Sequence, residues 1–183
     1  MMDKNNYEIA VFGGGCFWCT EAVFSYLGGV VTVLPGYSGG KLSSPTYEQV
    51  SAGDTGHVEC TKVEFDPAVI SYEQLLKAFF ETHDPTSLNK QGNDVGTQYR
   101  SVIFYTNEKQ KSLAQDFINK IKEAGIYDDP IVTTVEPLKE FYPAEDYHQK
   151  YYENHKDAPY CQLVIAPKLD KLGKLQKTDV KPL

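Results

Sequence analysis

Short runs of β-branched and aromatic residues, several of them alternating with polar positions, predict the strands of this chain. They cover residues 7–12, 30–34, 57–65, 101–105 and 131–135, with a short extended segment at 163–165. A strand that alternates apolar and polar positions has one buried face and one solvated face. We therefore expect at least five strands that share one sheet.

Apolar residues spaced three and four positions apart predict helices between these strands. The predicted helices cover residues 17–27, 71–83, 107–124 and 144–156, with a short one at 46–50. Thr46, Ser71 and Asn107 stand at the first positions of three of them, where side-chain oxygens cap the free backbone N–H groups. The leucines of the lysine-rich tail from Lys168 onward, three residues apart, indicate a short surface helix.

The order of these elements is β-α-β-(short α)-β-α-β-α-β, which predicts an α/β (α+β) two-layer sandwich. We expect a mixed sheet with a ferredoxin-like core and helices packed on it. Glycines in residues 35–40 predict a tight loop near the active centre. The long polar stretch 84–99 is expected to be an ordered binding loop.

Length and composition restrict the classes of function. The 183 residues and a 41% hydrophobic fraction fit one catalytic domain over residues 1–183, in which 157–183 form a C-terminal segment. The net charge is −7 and Arg100 is the single arginine, so we expect no nucleic-acid partner. No apolar run reaches the length of a signal sequence or membrane span, which predicts a cytoplasmic protein that does not bind membranes.

The most reactive candidate is Cys16, which follows the glycine run 13–15 and opens the first predicted helix. A sulfur at this position faces unpaired N–H groups and the positive end of the helix dipole, which favour the thiolate. Phe17 and Trp18 place large apolar rings beside the sulfur. We interpret Cys16 as the nucleophile of a redox enzyme and the two rings as the wall of its substrate pocket.

The four cysteines, at 16, 19, 60 and 161, leave other interpretations open. Cys16 and Cys19 have the spacing of a thioredoxin-like dithiol, although the bulky residues between them are atypical. Zinc binding would require a second closely spaced pair, and the sequence has none. Cys16 and Cys19 could also be two ordinary core cysteines. Cys60 is expected to be an inert core thiol, and His57 and His148 are expected to form structural hydrogen bonds.

The motifs together resemble the A-type peptide methionine-sulfoxide reductases. The matching segments are GCFW at 15–18, GYSGG at 36–40, PTYEQV at 45–50, GHVE at 56–59, FDP at 65–67, NDVGTQYRS at 93–101 and AEDYHQ at 144–149. They occur in the order of the family and cover most of residues 8–155. This resemblance is much more specific than the Cys16-x-x-Cys19 pair.

The resemblance implies a role for each matching residue. The Cys16 thiolate would attack the sulfoxide sulfur and become a sulfenic acid as methionine is released. Glu59 would be the acid for the sulfoxide oxygen, with a pKa raised by its apolar surroundings. Tyr47 and Tyr99 would donate O–H groups to that oxygen, and Asp94 would fix a water or the tyrosines.

A second thiol would then resolve the sulfenic acid as a disulfide. The family often carries glycine at the position of Cys19, and its members commonly keep the resolving cysteine on a mobile C-terminal stretch. We therefore expect Cys161 to resolve, with Cys19 as the alternative. The implied substrates are methionine-sulfoxide-containing peptides and proteins, reduced by a monomer without bound cofactor or metal. Thioredoxin or another dithiol would be the reductant.

Overall fold

The computed structural model describes residues 6–178, which form a six-stranded sheet, a small hairpin and the surrounding helices. The strands are β1 (Glu8–Gly13), β2 (Val30–Ser38), β3 (Val58–Phe65), β4 (Lys90–Gln91), β5 (Asp94–Val95), β6 (Val102–Tyr105), β7 (Thr134–Pro137) and β8 (Phe141–Pro143). The hairpin of β4 and β5 lies inside the predicted binding loop.

The main sheet has the strand order β7-β6-β1-β3-β2-β8. Its central four strands, β6-β1-β3-β2, are antiparallel and are linked by α1 and α3 as in a ferredoxin-like split βαβ core. At one edge β7 pairs in parallel with β6, and at the other β8 pairs antiparallel with β2. The mixed sheet and the predicted α/β class are confirmed.

The helices begin at residues that the sequence marks. They are α1 (Phe17–Ser25), α2 (Tyr47–Ser51), α3 (Tyr72–Thr82), α4 (Glu108–Glu123), α5 (Tyr151–Asn154) and α6 (Ala166–Thr178), with 3₁₀ turns at Thr97–Tyr99 and Asp146–His148 and a π-helical turn at Cys161–Ile165. Thr46 and Ser71 form capping boxes with Gln49 and Gln74. Asn107 accepts the backbone N–H of Gln110. These three predicted caps are confirmed.

The main core lies between one face of the sheet and helices α1, α3, α4 and α6. Phe12 of β1 is at its centre, with its ring 4.9 Å from that of Phe24 and 5.1 Å from that of Phe79. Cys60 faces the opposite side of the sheet, in a buried cluster with Val58 and Phe104. The alternation predicted for β3 therefore places Cys60 in the core, away from Glu59.

Four local predictions were wrong in position or type. Residues 35–38 are not a loop, because the backbone of β2 continues through them to pair with β8. Residues 144–156 form a 3₁₀ turn and the short α5 instead of one helix, and 163–165 are helical instead of extended. The strand expected at 131–135 begins at Thr134. The predicted surface helix of the tail is present as α6.

No helix within residues 6–178 combines the length and the apolar character that a membrane span needs.

Candidate active site

Cys16 lies where β1 passes into α1, at the end of the sheet next to β3 and β6. It is the N-cap of α1, half-buried, with φ −60° and ψ 129°. Gly15 has φ +84°, a conformation that side chains disfavour. A Cβ atom on Gly14 would meet the Phe79 ring. These two glycines thus serve the turn and its close packing.

The Cys16 and Cys19 side chains lie one helical turn apart at the start of α1 and belong to one packed cluster. Burial raises the pKa of Cys16 well above its ordinary value, with further increases from Cys19 and Glu59, although the Trp18 N–H lowers it. The interaction with Cys16 lowers the pKa of Cys19 to about 7 against the opposing effect of burial. In the resting pair the negative charge therefore favours Cys19, and the helix terminus does not by itself make Cys16 the thiolate that the sequence predicts.

Glu59 of β3 is 2% exposed and points towards the start of α1. Its Oε2 accepts the Phe17 N–H at 3.0 Å. Burial raises the pKa of Glu59 to about 8, even though this hydrogen bond lowers it. The predicted upward pKa shift is confirmed. At neutral pH the carboxyl group keeps its proton beside Cys16.

The two predicted phenols, Tyr47 and Tyr99, lie close enough to the charges of Glu59, Cys16 and Asp94 to interact with them. Burial raises the pKa of both tyrosines, and the charges of Glu59, Cys16 and Asp94 add to the effect. The hydroxyls therefore stay protonated as hydrogen-bond donors. Tyr47 is the first residue of α2, and the backbone oxygen of Tyr99 accepts the Gly15 N–H at 3.2 Å. The structure thus brings the predicted site residues together.

Asp94 accepts a hydrogen bond from a tyrosine that the sequence did not single out. The Tyr160 hydroxyl donates to Asp94 Oδ2 at 3.0 Å and also lies 3.5 Å from Cys19 Sγ. This contact joins the β4–β5 hairpin to the C-terminal helices. The only signal in the sequence is that Tyr160 precedes Cys161.

Phe17 and Trp18 pack beside Cys16, and their role as the wall of the substrate pocket stays a prediction. Trp18 stacks flat on Tyr151, with ring centroids 3.6 Å apart and an angle of 4° between the rings. Its indole N–H donates to His148 Nδ1 at 3.1 Å, and the His148 ring also lies 5.0 Å from that of Phe17. Burial lowers the pKa of His148, which favours the neutral ring that can accept this bond. The structural role expected of His148 is confirmed.

Glu145 organises the other side of the pocket, a role for which the family motif is the one sign in the sequence. Its Oε1 accepts the Tyr47 N–H at 2.8 Å, and its Oε2 accepts the Tyr37 hydroxyl at 2.9 Å. The first turn of α2 is thereby tied to β2. His57 is remote from this chemistry: its Nδ1 accepts the Gly40 N–H at 3.1 Å, as expected for a structural histidine.

Cys161 is completely buried in the π-helical turn and packs in a cluster with Cys19, Ala22 and Ile165. Cys161 and Ile165, four residues apart, form the helix face that packs on α1, and the expected mobility of this stretch stays a prediction. Burial and the Cys19 charge raise the pKa of Cys161. Its role as the resolving cysteine stays a prediction.

A cavity of about 350 Å³ has both Cys16 and Cys19 on its wall. It lies between the 91–94 turn and the C-terminal helices, with Tyr160 and Lys168 on its wall. Within residues 6–178, no three His, Cys, Asp or Glu side chains form a group that could hold a metal ion. The site offers a nucleophilic sulfur, a protonated carboxyl group, two phenols and an apolar wall. These groups suit attack on a polar group that carries a small apolar substituent.

Comparisons with known proteins agree on one family. The family model described as peptide methionine sulfoxide reductase matches residues 8–180. The peptide methionine sulfoxide reductase MsrA of Saccharolobus solfataricus is 53% identical over 175 residues, covering 95% of this chain and 97% of the relative. An MsrA of Thermus thermophilus is 52% identical and covers 96% of this chain and 98% of the relative.

The structure of reduced Mxr1 from Saccharomyces cerevisiae is similar to this fold, with a TM-score of 0.80. It is 33% identical, covering 88% of this chain and 92% of Mxr1.

Proposed function

This chain belongs to the peptide methionine sulfoxide reductase family, and we propose that it reduces methionine-S-sulfoxide, free or in peptides and proteins, to methionine. The observation that carries the proposal is the contact between the start of α1 and Glu59. The Phe17 N–H holds a carboxyl group with a pKa of about 8 beside the Cys16 sulfur. A nucleophile and a proton donor thus serve the sulfur and the oxygen of one sulfoxide group.

The first step is attack of Cys16 on the sulfoxide sulfur. Cys19, whose pKa the neighbouring Cys16 lowers to about 7, accepts the Cys16 proton. The sulfoxide oxygen takes the Glu59 proton and passes to Cys16 as the sulfur–oxygen bond of the substrate breaks. Cys16 is oxidised by two electrons to a sulfenic acid, and the substrate sulfur is reduced by two electrons to a thioether.

The remaining groups stabilise this step. Tyr47 and Tyr99 donate hydrogen bonds to the oxygen as it gains negative charge, and Asp94 fixes the adjacent hairpin through Tyr160. Phe17 and Trp18 hold the methyl group of the substrate against the apolar wall. No bound cofactor enters the reaction, because the two electrons come from thiols.

We infer that Cys19 resolves the sulfenic acid. Cys19 packs in one cluster with Cys16, one helical turn away, and a C-x-x-C pair at a helix start is the spacing of dithiol enzymes. The new bond joins the two sulfurs and releases the sulfenic oxygen as water. Cys161, the resolving cysteine predicted from the sequence, packs in the same buried cluster as Cys19 and stays the alternative.

A dithiol protein must then reduce the disulfide, and we propose thioredoxin. Another structure of Mxr1, 24% identical to this chain with a TM-score of 0.58, contains Trx2; it covers 82% of this chain and 88% of Mxr1. That complex supports a thioredoxin partner for Mxr1, and by analogy for this chain. The single catalytic domain, the monomeric state and the cytoplasmic location stay predictions.

The test is turnover of a peptide that contains methionine-S-sulfoxide, with thioredoxin and its reductase. Wild type should form methionine, and Cys16→Ser should form none. Cys19→Ser, which also lacks the acceptor of the Cys16 proton, should form one equivalent per chain more slowly than wild type and then stop, while Cys161→Ser should continue. Cys60→Ser is the matched control with an unrelated thiol removed. If Cys16→Ser keeps wild-type turnover, the proposed function is wrong; if Cys161→Ser stops after one equivalent, Cys161 resolves.

A further inference from the structure

Glu21 of α1 is a buried carboxylate that the proposed reaction does not use. It is 4% exposed, on the same helix as Cys16 and Trp18. Its Oε1 accepts the Lys150 N–H at 2.7 Å and its Oε2 accepts the Tyr151 N–H at 3.3 Å. Burying a charged carboxylate costs free energy, so the presence of Glu21 at this place requires an explanation.

The two hydrogen bonds hold a turn with an unfavourable backbone. Lys150 has φ 53° and ψ 36°, a left-handed conformation that residues with side chains adopt rarely. A cavity of about 160 Å³ lies beside Glu21, lined by Lys150 and Glu153 among others. Because the turn is not tightly packed on this side, its position depends strongly on the carboxylate.

The turn carries the residues that support the apolar wall. Tyr151, held through its N–H, presents the ring on which Trp18 stacks, and His148, just before the turn, accepts the Trp18 indole N–H. Trp18 and Glu21 are three residues apart on α1, so they share one helix face. The helix thus contacts the same segment through the indole ring and the carboxylate.

We propose that Glu21 is a positioning residue that holds the Lys150–Tyr151 turn, so that Tyr151 and His148 fix the Trp18 ring in the substrate pocket. The role of Trp18 in binding the substrate rests on the proposed function, but the control of its position does not. Burial raises the pKa of Glu21 to about 7, against the lowering effect of both N–H groups, as expected for a carboxylate kept inside the fold.

The test uses the fluorescence of Trp18, which is the single tryptophan of the chain. In Glu21→Gln the amide keeps the side-chain shape but retains one acceptor oxygen for two N–H donors. The Trp18 emission should move to longer wavelength and become more accessible to acrylamide. We expect kcat/KM for the sulfoxide peptide to fall about 10- to 100-fold, mainly through KM, because the ring is misplaced.

Glu153→Gln is the matched control, since Glu153 is an exposed acid of the same segment on the wall of the same cavity. It should leave the emission and KM at wild-type values. Tyr151→Leu removes the stacked ring directly and should reproduce the emission change of Glu21→Gln. Unchanged emission in this second variant overturns the proposal, whether or not Glu21→Gln folds.

Unchanged Trp18 emission and KM in a folded Glu21→Gln protein overturns the proposal as well. The fluorescence measurement needs no turnover. If wild type reduces no sulfoxide, the proposed function fails while the emission still tests the positioning of Trp18.

Discussion

Replacement of Glu59 by glutamine should change how the stability of the protein depends on pH. Burial raises the pKa of Glu59 to about 8 in the folded protein, from an ordinary value of 4.5. The folded state therefore binds more protons than the unfolded state between these values. The free energy of unfolding should fall as the pH rises through this interval and level off above it.

The size of the effect follows from the two values. A difference in pKa from 4.5 to about 8 corresponds to about 5 kcal/mol, at about 1.4 kcal/mol for each factor of ten in proton affinity. Glu59→Gln cannot ionise, and its amide oxygen can still accept the Phe17 N–H. The variant should therefore match wild type near pH 5 and be more stable than wild type by several kcal/mol near pH 9.

Urea unfolding under reducing conditions, at several pH values between 5 and 9, measures this difference. Glu64→Gln, which removes an acid from the opposite face of the same strand, controls for the lost charge. Sulfoxide reduction by Glu59→Gln should also fall by about 10²- to 10⁴-fold, as expected when a general acid is removed. Parallel stability curves for wild type and Glu59→Gln would refute the assignment of a protonated carboxyl group.

Three further predictions concern the surroundings of the site. Thr46→Ala, which removes the capping box of α2, should lower the free energy of unfolding by about 1 kcal/mol in urea and also lower kcat/KM, because Tyr47 begins that helix. Cys60→Ser should change turnover by less than about twofold, as its thiol faces the opposite side of the sheet; a larger loss would contradict this placement. Tyr160→Phe should raise the pKa of Cys19, because the hydroxyl lowers it; residue-resolved alkylation against pH measures the shift, and an unchanged profile would exclude the contact.

Features that depend on neighbouring residues could be predicted from the sequence. The caps at Thr46 and Ser71 involve residues three positions apart, so the local pattern determines them. The alternation of β3 correctly separated Glu59 from Cys60, because successive side chains of a strand point to opposite faces of the sheet. The position of Cys16 between β1 and α1 could be predicted in the same way, from the strand, glycines and helix around it.

Features that depend on distant partners could not be predicted. Pro35 and Gly36 are typical of turns, but pairing with β8, more than 100 residues away, keeps them in a strand. The β-branched residues around Cys161 favoured an extended segment, whereas packing of Cys161 and Ile165 on α1 favours a helix. The hydrogen bonds of Tyr160 with Asp94 and of Glu145 with Tyr47 and Tyr37 join separate segments and leave no local pattern.

The proposed oxidation of Cys16 to a sulfenic acid can be tested by locating the oxidised cysteine after one turnover. Reduced Cys19→Ser protein is given one equivalent of a methionine-S-sulfoxide peptide in the presence of dimedone, which traps sulfenic acids, and the adduct is located by peptide mass analysis. We expect one equivalent of methionine peptide and one dimedone adduct, located on Cys16. Product formation with the adduct on another cysteine, or with no cysteine oxidised, would contradict this expectation.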